Sequence, residues 1–223
     1  MLTPYTKVLC SPAYKHVYPP SEDSFLFLDA LEEEMSFLRS LSITLSIEVG
    51  SGSGIISSFL YAIDSRSRYH ICIDISNAAC HATADVIRSN LRHEGSVIHD
   101  QLQCSLVVPL LSRLRSHVDL LLFNPPYVPT TREEHQLAKS GIAATWSGGL
   151  HGREVIDDFL PQAVELLSPT GCLYLLLSQD NDPEDVHRCI YRLSSGRLLP
   201  TLVKKRRVNN ELLYVFRYMS KVG

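Results

Sequence analysis

Val118-Asp119-Leu120-Leu121-Leu122-Phe123-Asn124-Pro125-Pro126-Tyr127 is the stretch from which the fold can be read. Its first six residues form an apolar run, the pattern of a strand buried on both faces. Pro125 and Pro126 then remove two backbone donors and fix two φ angles, so the strand ends there. Asn124 to Tyr127 therefore make a stiff turn carrying one amide side chain and one aromatic ring. It stands at the carboxyl end of a strand, which is where open α/β sheets bind their ligands.

Working outward, the same alternation recurs. Ser21 caps a helix whose first turn holds Glu22 and Asp23, with an apolar stripe of Phe25, Leu26, Leu28, Leu31, Met35 and Leu38. Glu32-Glu33-Glu34 falls on the side expected to face solvent. Ile43 to Val49 predicts a first strand, followed by Gly50-Ser51-Gly52-Ser53-Gly54 and an apolar helix to Ile63. Tyr69 to Ile75 predicts a second strand, then a helix from Ser76 to about Arg92. Ser96 to His99 reads as a short third strand ending at Asp100, and Val118 to Phe123 is the fourth. A long polar loop spans 128–151, and loops of that length in a compact domain are often functional. A helix is expected over Arg153 to Leu167, a fifth strand over Cys172 to Leu177, and a helix from Pro183. Leu198–Lys205 and Glu211–Tyr218 flank Val208-Asn209-Asn210 as an antiparallel hairpin.

Strand–helix units followed by a hairpin imply a Rossmann-like α/β fold: a seven-stranded, mostly parallel sheet with helices on both faces and a C-terminal antiparallel hairpin. Residues 1–20 read as an irregular N-terminal arm and 21–223 as a single domain. The 223 residues, 45% hydrophobic and 20% charged, suffice for one well-cored unit and would make two cramped. A net charge of −3 argues against holding nucleic acid by bulk charge. Six cysteines show no CxxC pair, and the nine histidines do not join them at metal-ligand spacing, so free thiols and no metal are expected. No signal peptide and no apolar run of roughly 20 residues is visible. These features lead to the expectation of a soluble cytoplasmic protein, with the nucleus as a second compartment.

Glu48-Val49-Gly50-Ser51-Gly52-Ser53-Gly54 lies where a strand turns into a helix, and its glycines let backbone amides approach a ligand. Ile55 stands where the dinucleotide fingerprint wants a third glycine, so a ligand without phosphates fits better. Asp74, at the next strand end, is placed to accept from two ribose hydroxyls, and Asp100 from an adenine amino group. Three carboxylates and no lysine around a glycine loop suit a cationic nucleoside such as S-adenosylmethionine.

Pro20-Ser21-Glu22-Asp23-Ser24, the Glu48 to Gly54 loop, Asp74, Asp100 and Asn124-Pro125-Pro126-Tyr127 together resemble the S-adenosylmethionine-dependent methyltransferases of the release-factor glutamine type. Trp146-Ser147-Gly148-Gly149 with Gly152-Arg153-Glu154-Val155-Ile156-Asp157 is similar to the short eukaryotic branch. That branch modifies the glutamine of the GGQ motif in the class I translation release factor. The resemblance implies the class I methyltransferase fold and cofactor contacts by Ser24, Glu48, Gly50, Ser51, Gly52, Asp74, Ile75, Asp100 and Asn124. It further implies a catalytic turn of Asn124, Pro125, Pro126 and Tyr127. Asn124 and the Pro125 carbonyl would hold the substrate amide and Tyr127 would line its slot. Branch members work with a small zinc-binding activator protein, and Ser96-Val97-Ile98-His99 is the edge strand expected to receive it.

The residues leave three alternatives open. Adenine-N6 methylation uses the same planar nitrogen but wants a basic groove or recognition domain. Lysine methylation, or a non-catalytic scaffold stabilised by the cofactor, is also compatible with the motifs. Lys204-Lys205-Arg206-Arg207 is either a solvated strand end or an RNA contact. His151 and Arg153 either orient the substrate loop or brace it, and Trp146 is either substrate wall or loop anchor.

Overall fold

The computed structural model describes residues 3–63, 69–91, 98–131 and 146–221. In chain order its main elements begin with α1 (Glu22–Glu33), α2 (Met35–Ser40), β1 (Leu45–Val49), α3 (Ile55–Ile63), β2 (Tyr69–Asp74) and α4 (Asn77–Asn90). They continue with β3 (Ile98–Gln103), α5 (Leu111–Leu114), β4 (Val118–Phe123), α6 (Glu154–Leu166) and β5 (Leu167–Ser178). The chain closes with α7 (Pro183–Leu193), β6 (Leu198–Val208) and β7 (Glu211–Ser220).

The strands form one seven-stranded sheet in the order β3-β2-β1-β4-β5-β7-β6. β1 to β5 are parallel, and β7 pairs antiparallel with β5 and with β6. The chain winds outward from β1 to β3 and then restarts beside β1 at β4. The carboxyl ends of β1 and β4 therefore flank the topological switch point, where such sheets leave a crevice.

β4 is buried on both faces, as its apolar run predicts. Leu120 and Leu122 pack with Leu26, Phe27 and Leu31 of α1 and Phe59 and Leu60 of α3. Leu121 and Phe123 pack on the other face with Ile156, Phe159 and Leu160 of α6. All six cysteines are free thiols. Among the described residues no helix is long and apolar enough to cross a membrane.

Several boundaries differ from the sequence expectation. β3 continues through Asp100 to Gln103, pairing in register with β2 as far as Asp74 opposite Gln103. Asp100 reads as the strand end and Gln101 and Gln103 as loop because they are polar, but an edge strand tolerates them there. Ser96 and Val97 lie outside the described residues; Ile98 and His99 open the strand. The first helix breaks at Glu34, which does not face solvent as expected: it pairs with Arg217 and accepts from the Tyr174 hydroxyl at 2.8 Å. Glu33, for its part, pairs with Lys204. The N-terminal arm is not wholly irregular. It holds two single 3-10 turns, Lys7–Cys10 and Pro12–Tyr14, and docks on α4 through Tyr5 with Asn90 and Tyr14 with Asp85.

Candidate active site

A cavity of about 680 Å³ opens at the switch point, within the range typical of ligand sites. Its floor is the glycine loop. Ser51 donates its N–H to the Ile73 carbonyl at 2.9 Å, and Gly54 donates to the Ser51 carbonyl at 2.7 Å. Gly54 adopts φ +74°, and a Cβ there would lie 2.6 Å from the Thr83 Cα, so helix α4 can pack against the loop only because the residue is glycine. Asp74 ties the loop to the neighbouring strand end: one carboxylate oxygen accepts from Gly52 N–H at 2.9 Å and the other from Ser76 N–H at 2.8 Å. Each oxygen keeps a second lone pair for a ligand. Burial raises the Asp74 carboxyl above its ordinary range, against the pull of the Ser76, Gly52 and Ile75 amides.

Behind the loop, Glu48 is 2% exposed and hydrogen-bonded to the Ser57 hydroxyl. Ser57 Oγ is also 2.7 Å from His70 Nε2, and His70 Nδ1 is 2.7 Å from Ser46 Oγ. Desolvation raises the Glu48 carboxyl to about 8 and lowers the His70 ring to about 3, so both groups are held neutral near pH 7. Glu48, His70 and Cys72 present ligand atoms within 4.8 Å of one another, a grouping that sequence spacing does not reveal. Ser57 Oγ bonds to each of the three, Cys72 Sγ at 3.2 Å included, which closes the cluster by hydrogen bonding.

Above the loop stands the turn after β4. Asn124 donates from Nδ2 to the Asp23 carboxylate at 2.9 Å. This fixes which way the amide points. Its other end, Oδ1, is buried and without a partner among the described residues. An unpaired acceptor in such a place costs free energy unless something supplies a donor. Asn124, Pro125 and Pro126 line the same cavity as Glu48, Gly50 and Asp74.

No family model matches the chain. It is 42% identical over 206 residues to Methyltransferase HEMK2 of Mus musculus, covering 92% of this chain and 91% of that protein. It is 34% identical over 222 residues to the eRF1 methyltransferase catalytic subunit mtq2 of Schizosaccharomyces pombe, covering 96% and 94%. The chain belongs to the HEMK2/Mtq2 family of methyltransferases. Among solved structures it matches the E. cuniculi Mtq2–Trm112 complex responsible for methylation of eRF1, with a TM-score of 0.60 and 26% identity over 92% of this chain and 99% of that one. A T. thermophilus 16S rRNA methyltransferase (RsmC) solved with AdoMet and guanosine shares the fold, with a TM-score of 0.62 at 14% identity over 91% of this chain and 44% of that one.

Within this family fold the residues singled out by sequence do not all meet. Ser24, Glu48, Gly50, Ser51, Gly52, Asp74, Ile75, Asn124, Pro125 and Pro126 line the cavity. Asp100 does not. The sequence pattern puts it at a strand end, but the strand runs on to Gln103, leaving Asp100 exposed and outside the lining. Cys104, Ser105 and Leu106 stand at the carboxyl end of β3 in its stead. Tyr127 also falls outside the lining. Its half-buried ring packs against both cores, and burial together with the charges of Asp23 and Glu211 raises its phenol.

Other side chains carry parts of the site that sequence reasoning leaves unassigned. Asp23 reads in sequence as a charge at a helix start within the Pro20-Ser21-Glu22-Asp23-Ser24 motif, with no role of its own, and its bond to Asn124 crosses 101 residues of chain. His16 and Tyr18 of the arm also line the cavity, and their aromatic character beside a proline-rich stretch gives no such signal. Arg153 is spent on ion pairs with Asp157 and Asp185, so it braces α6 against the start of α7. Trp146 is 39% exposed, and its backbone carbonyl accepts from Val128 N–H at 3.0 Å. The basic run splits by strand alternation: Lys204 pairs with Glu33 and Arg206 with Asp29 and Glu22, while Lys205 and Arg207 are exposed.

Proposed function

We propose that this chain is the catalytic subunit of a protein-glutamine N5-methyltransferase. Its substrate is the glutamine side chain of the GGQ motif in the eukaryotic class I release factor, and it works with a small zinc-binding activator of the Trm112 kind. The observation that carries the reading is the buried Asn124 Oδ1, which lacks a donor while its own Nδ2 is held by Asp23. A substrate N–H completes it. The relatives named as eRF1 methyltransferases supply the substrate class.

S-adenosylmethionine fits the remaining residues and supplies a methyl group on a positively charged sulfur. Gly50 and Gly52 line the cavity that would take it, and the free lone pairs of Asp74 suit ribose hydroxyls. An amide nitrogen is a poor nucleophile because its lone pair is delocalised into the carbonyl. Asn124 Oδ1 and the Pro125 carbonyl would accept from its two N–H groups and orient that lone pair toward the cavity. Two successive prolines stiffen the carbonyl's position, so little reorganisation accompanies the reaction. No general base is required: the nitrogen becomes acidic once alkylated and gives its proton to solvent.

In this reading the activator adds along the outer edge of β3, the end strand of the sheet, on the side away from β2. Ile98 at 63% exposure and the neighbouring Tyr69 at 48% support that edge as a contact surface. The ion pairs that occupy Lys204 and Arg206 weigh against a nucleic-acid groove on β6. The test is to co-purify the chain with the activator and incubate it with labelled S-adenosylmethionine and release factor carrying GGQ or GGA. Label is expected on GGQ alone; equal label on both removes the assignment.

A further inference from the structure

Pro125 and Pro126 give the substrate turn two residues without an N–H, so the usual means of tying down a loop is missing there. The turn is clamped from its two ends instead. Upstream, Phe123 is paired in the sheet with Val49 and Leu175, and Asp23 holds the Asn124 amide. Downstream, the Tyr127 carbonyl accepts from Asn181 Nδ2 at 2.9 Å.

Asn181 lies in the short turn after β5 and is fully buried. The same Nδ2 donates to the His151 carbonyl at 3.0 Å and the Gly152 carbonyl at 3.3 Å. Its Oδ1 accepts from Ser178 N–H at 2.7 Å. Three carbonyls on one side and an N–H on the other leave the amide only one sensible orientation. The segment it gathers approaches the turn closely, at glycine positions that leave no room for a side chain. Gly152 has φ +67°, and a Cβ there would lie 1.9 Å from the Tyr127 carbonyl oxygen and 2.6 Å from Asn181 Nδ2. A Cβ on Gly148 would lie 2.6 Å from the Gly152 Cα. Gly148 N–H in turn donates to the Val128 carbonyl and Thr130 N–H to the Gly149 carbonyl, each at 2.9 Å. One side chain thus joins the substrate turn, the glycine-rich 148–152 segment and the end of β5.

We propose that Asn181 is a positioning residue for methyl transfer: by holding the Tyr127 carbonyl and the 148–152 segment together, it keeps Asn124 and the Pro125 carbonyl aligned with the cavity. The inference rests on the transferase reading above and names the tertiary support of that same site. Packing alone does not require an amide here, whereas the three carbonyls do. Aspartate at this position has the same shape but sets an acceptor against three acceptors.

Asn181→Asp and Asn181→Ser, each co-purified with the activator, test this against GGQ release factor. The expected result is a fall in kcat of about 100-fold. KM for the release factor and Kd for S-adenosylhomocysteine, read by calorimetry, stay within about threefold. Amide hydrogen exchange at Val128 and Gly148 accelerates. Wild-type kcat in either folded variant overturns the proposal, as does a loss confined to cofactor affinity. If Asn181→Asp does not fold, Asn181→Ser decides by the same criteria. Wild-type enzyme that is inactive on the release factor sinks the transferase reading instead. The exchange rates then still judge Asn181, and unchanged rates overturn it.

Discussion

The glycine loop after β1 and the proline turn after β4 lie side by side at the carboxyl ends of adjacent strands, yet they are held in different ways. The loop uses its own backbone: Ser51 and Gly54 donate main-chain hydrogen bonds, and Gly52 donates to Asp74, 22 residues away. The turn has two prolines where those donors would be. It relies on side chains from distant parts of the chain, Asp23 on one end and Asn181 on the other. A loop fixed through its own amides suits a ligand cradle of set shape. A turn that is rigid and acceptor-rich suits the orientation of a substrate N–H. Damage to the first should therefore appear in cofactor affinity, and damage to the second in turnover.

The largest separation is expected from Asn124→Ala. It removes the unpaired Oδ1, so methyl transfer should fall by about 1,000-fold or more while Kd for S-adenosylhomocysteine stays nearly constant. Release-factor methylation at wild-type rates by that variant would break the comparison outright. Asp23→Ala leaves Asn124 in place but frees its amide to rotate, and kcat should drop about 100-fold, again with cofactor affinity kept. Calorimetry and initial rates on the same preparation check both.

Gly54→Ala strikes the other side. The added Cβ must displace Thr83 backbone at 2.6 Å from a residue at φ +74°, which overpacks the loop against α4. A stability loss of about 2–3 kcal/mol is expected, together with weaker cofactor binding. A urea titration and a binding isotherm would show it; a variant that loses only kcat would reverse the assignment of roles.

Glu48→Gln tests the support behind the loop through the pH dependence of stability. The folded carboxyl is raised to about 8, whereas an unfolded glutamate titrates near 4.3. Between those values the unfolded chain has lost a proton that the folded chain keeps. Wild-type stability therefore falls as pH rises across that window, by up to about 1.4 kcal/mol per pH unit from this group. Glutamine still offers Ser57 a hydrogen-bonding partner and does not titrate, so the variant gains stability relative to wild type from about pH 5 to 8. Parallel stability curves for the two proteins would show that Glu48 is already ionised in the fold.

Much of the fold was legible because the signals are local. The apolar run at Val118–Phe123, the two prolines, the glycines after Val49 and the Asn209-Asn210 hairpin turn each constrain the backbone within a few residues. Where the sequence pattern misled, a tertiary neighbour had changed the meaning of a residue. Asp100 looks like a strand end because the residues after it are polar, but β2 carries the pairing on to Gln103 and the open edge makes polarity harmless. Glu34 and Lys204 look solvated until the hairpin at the far edge of the sheet brings Arg217 and β6 against α1.

From sequence alone came the succession of strands and helices along the chain, the expectation of ligand binding at strand carboxyl ends, and the pairing of a glycine loop with an Asn-Pro-Pro-Tyr turn. Periodicity and backbone stereochemistry act over a handful of residues and need no knowledge of the rest of the chain. Only the tertiary structure decided that Asp23 serves the turn, that Asp100 stays outside the cavity, and that Glu48 is buried in a neutral hydrogen-bonded chain. It alone decided that a lone asparagine at 181 closes the far end. Those contacts join residues 101 and 54 positions apart, for Asn124 with Asp23 and Tyr127 with Asn181. A pairing over such distances is set by how the sheet and its covering helices pack, and no local pattern encodes it.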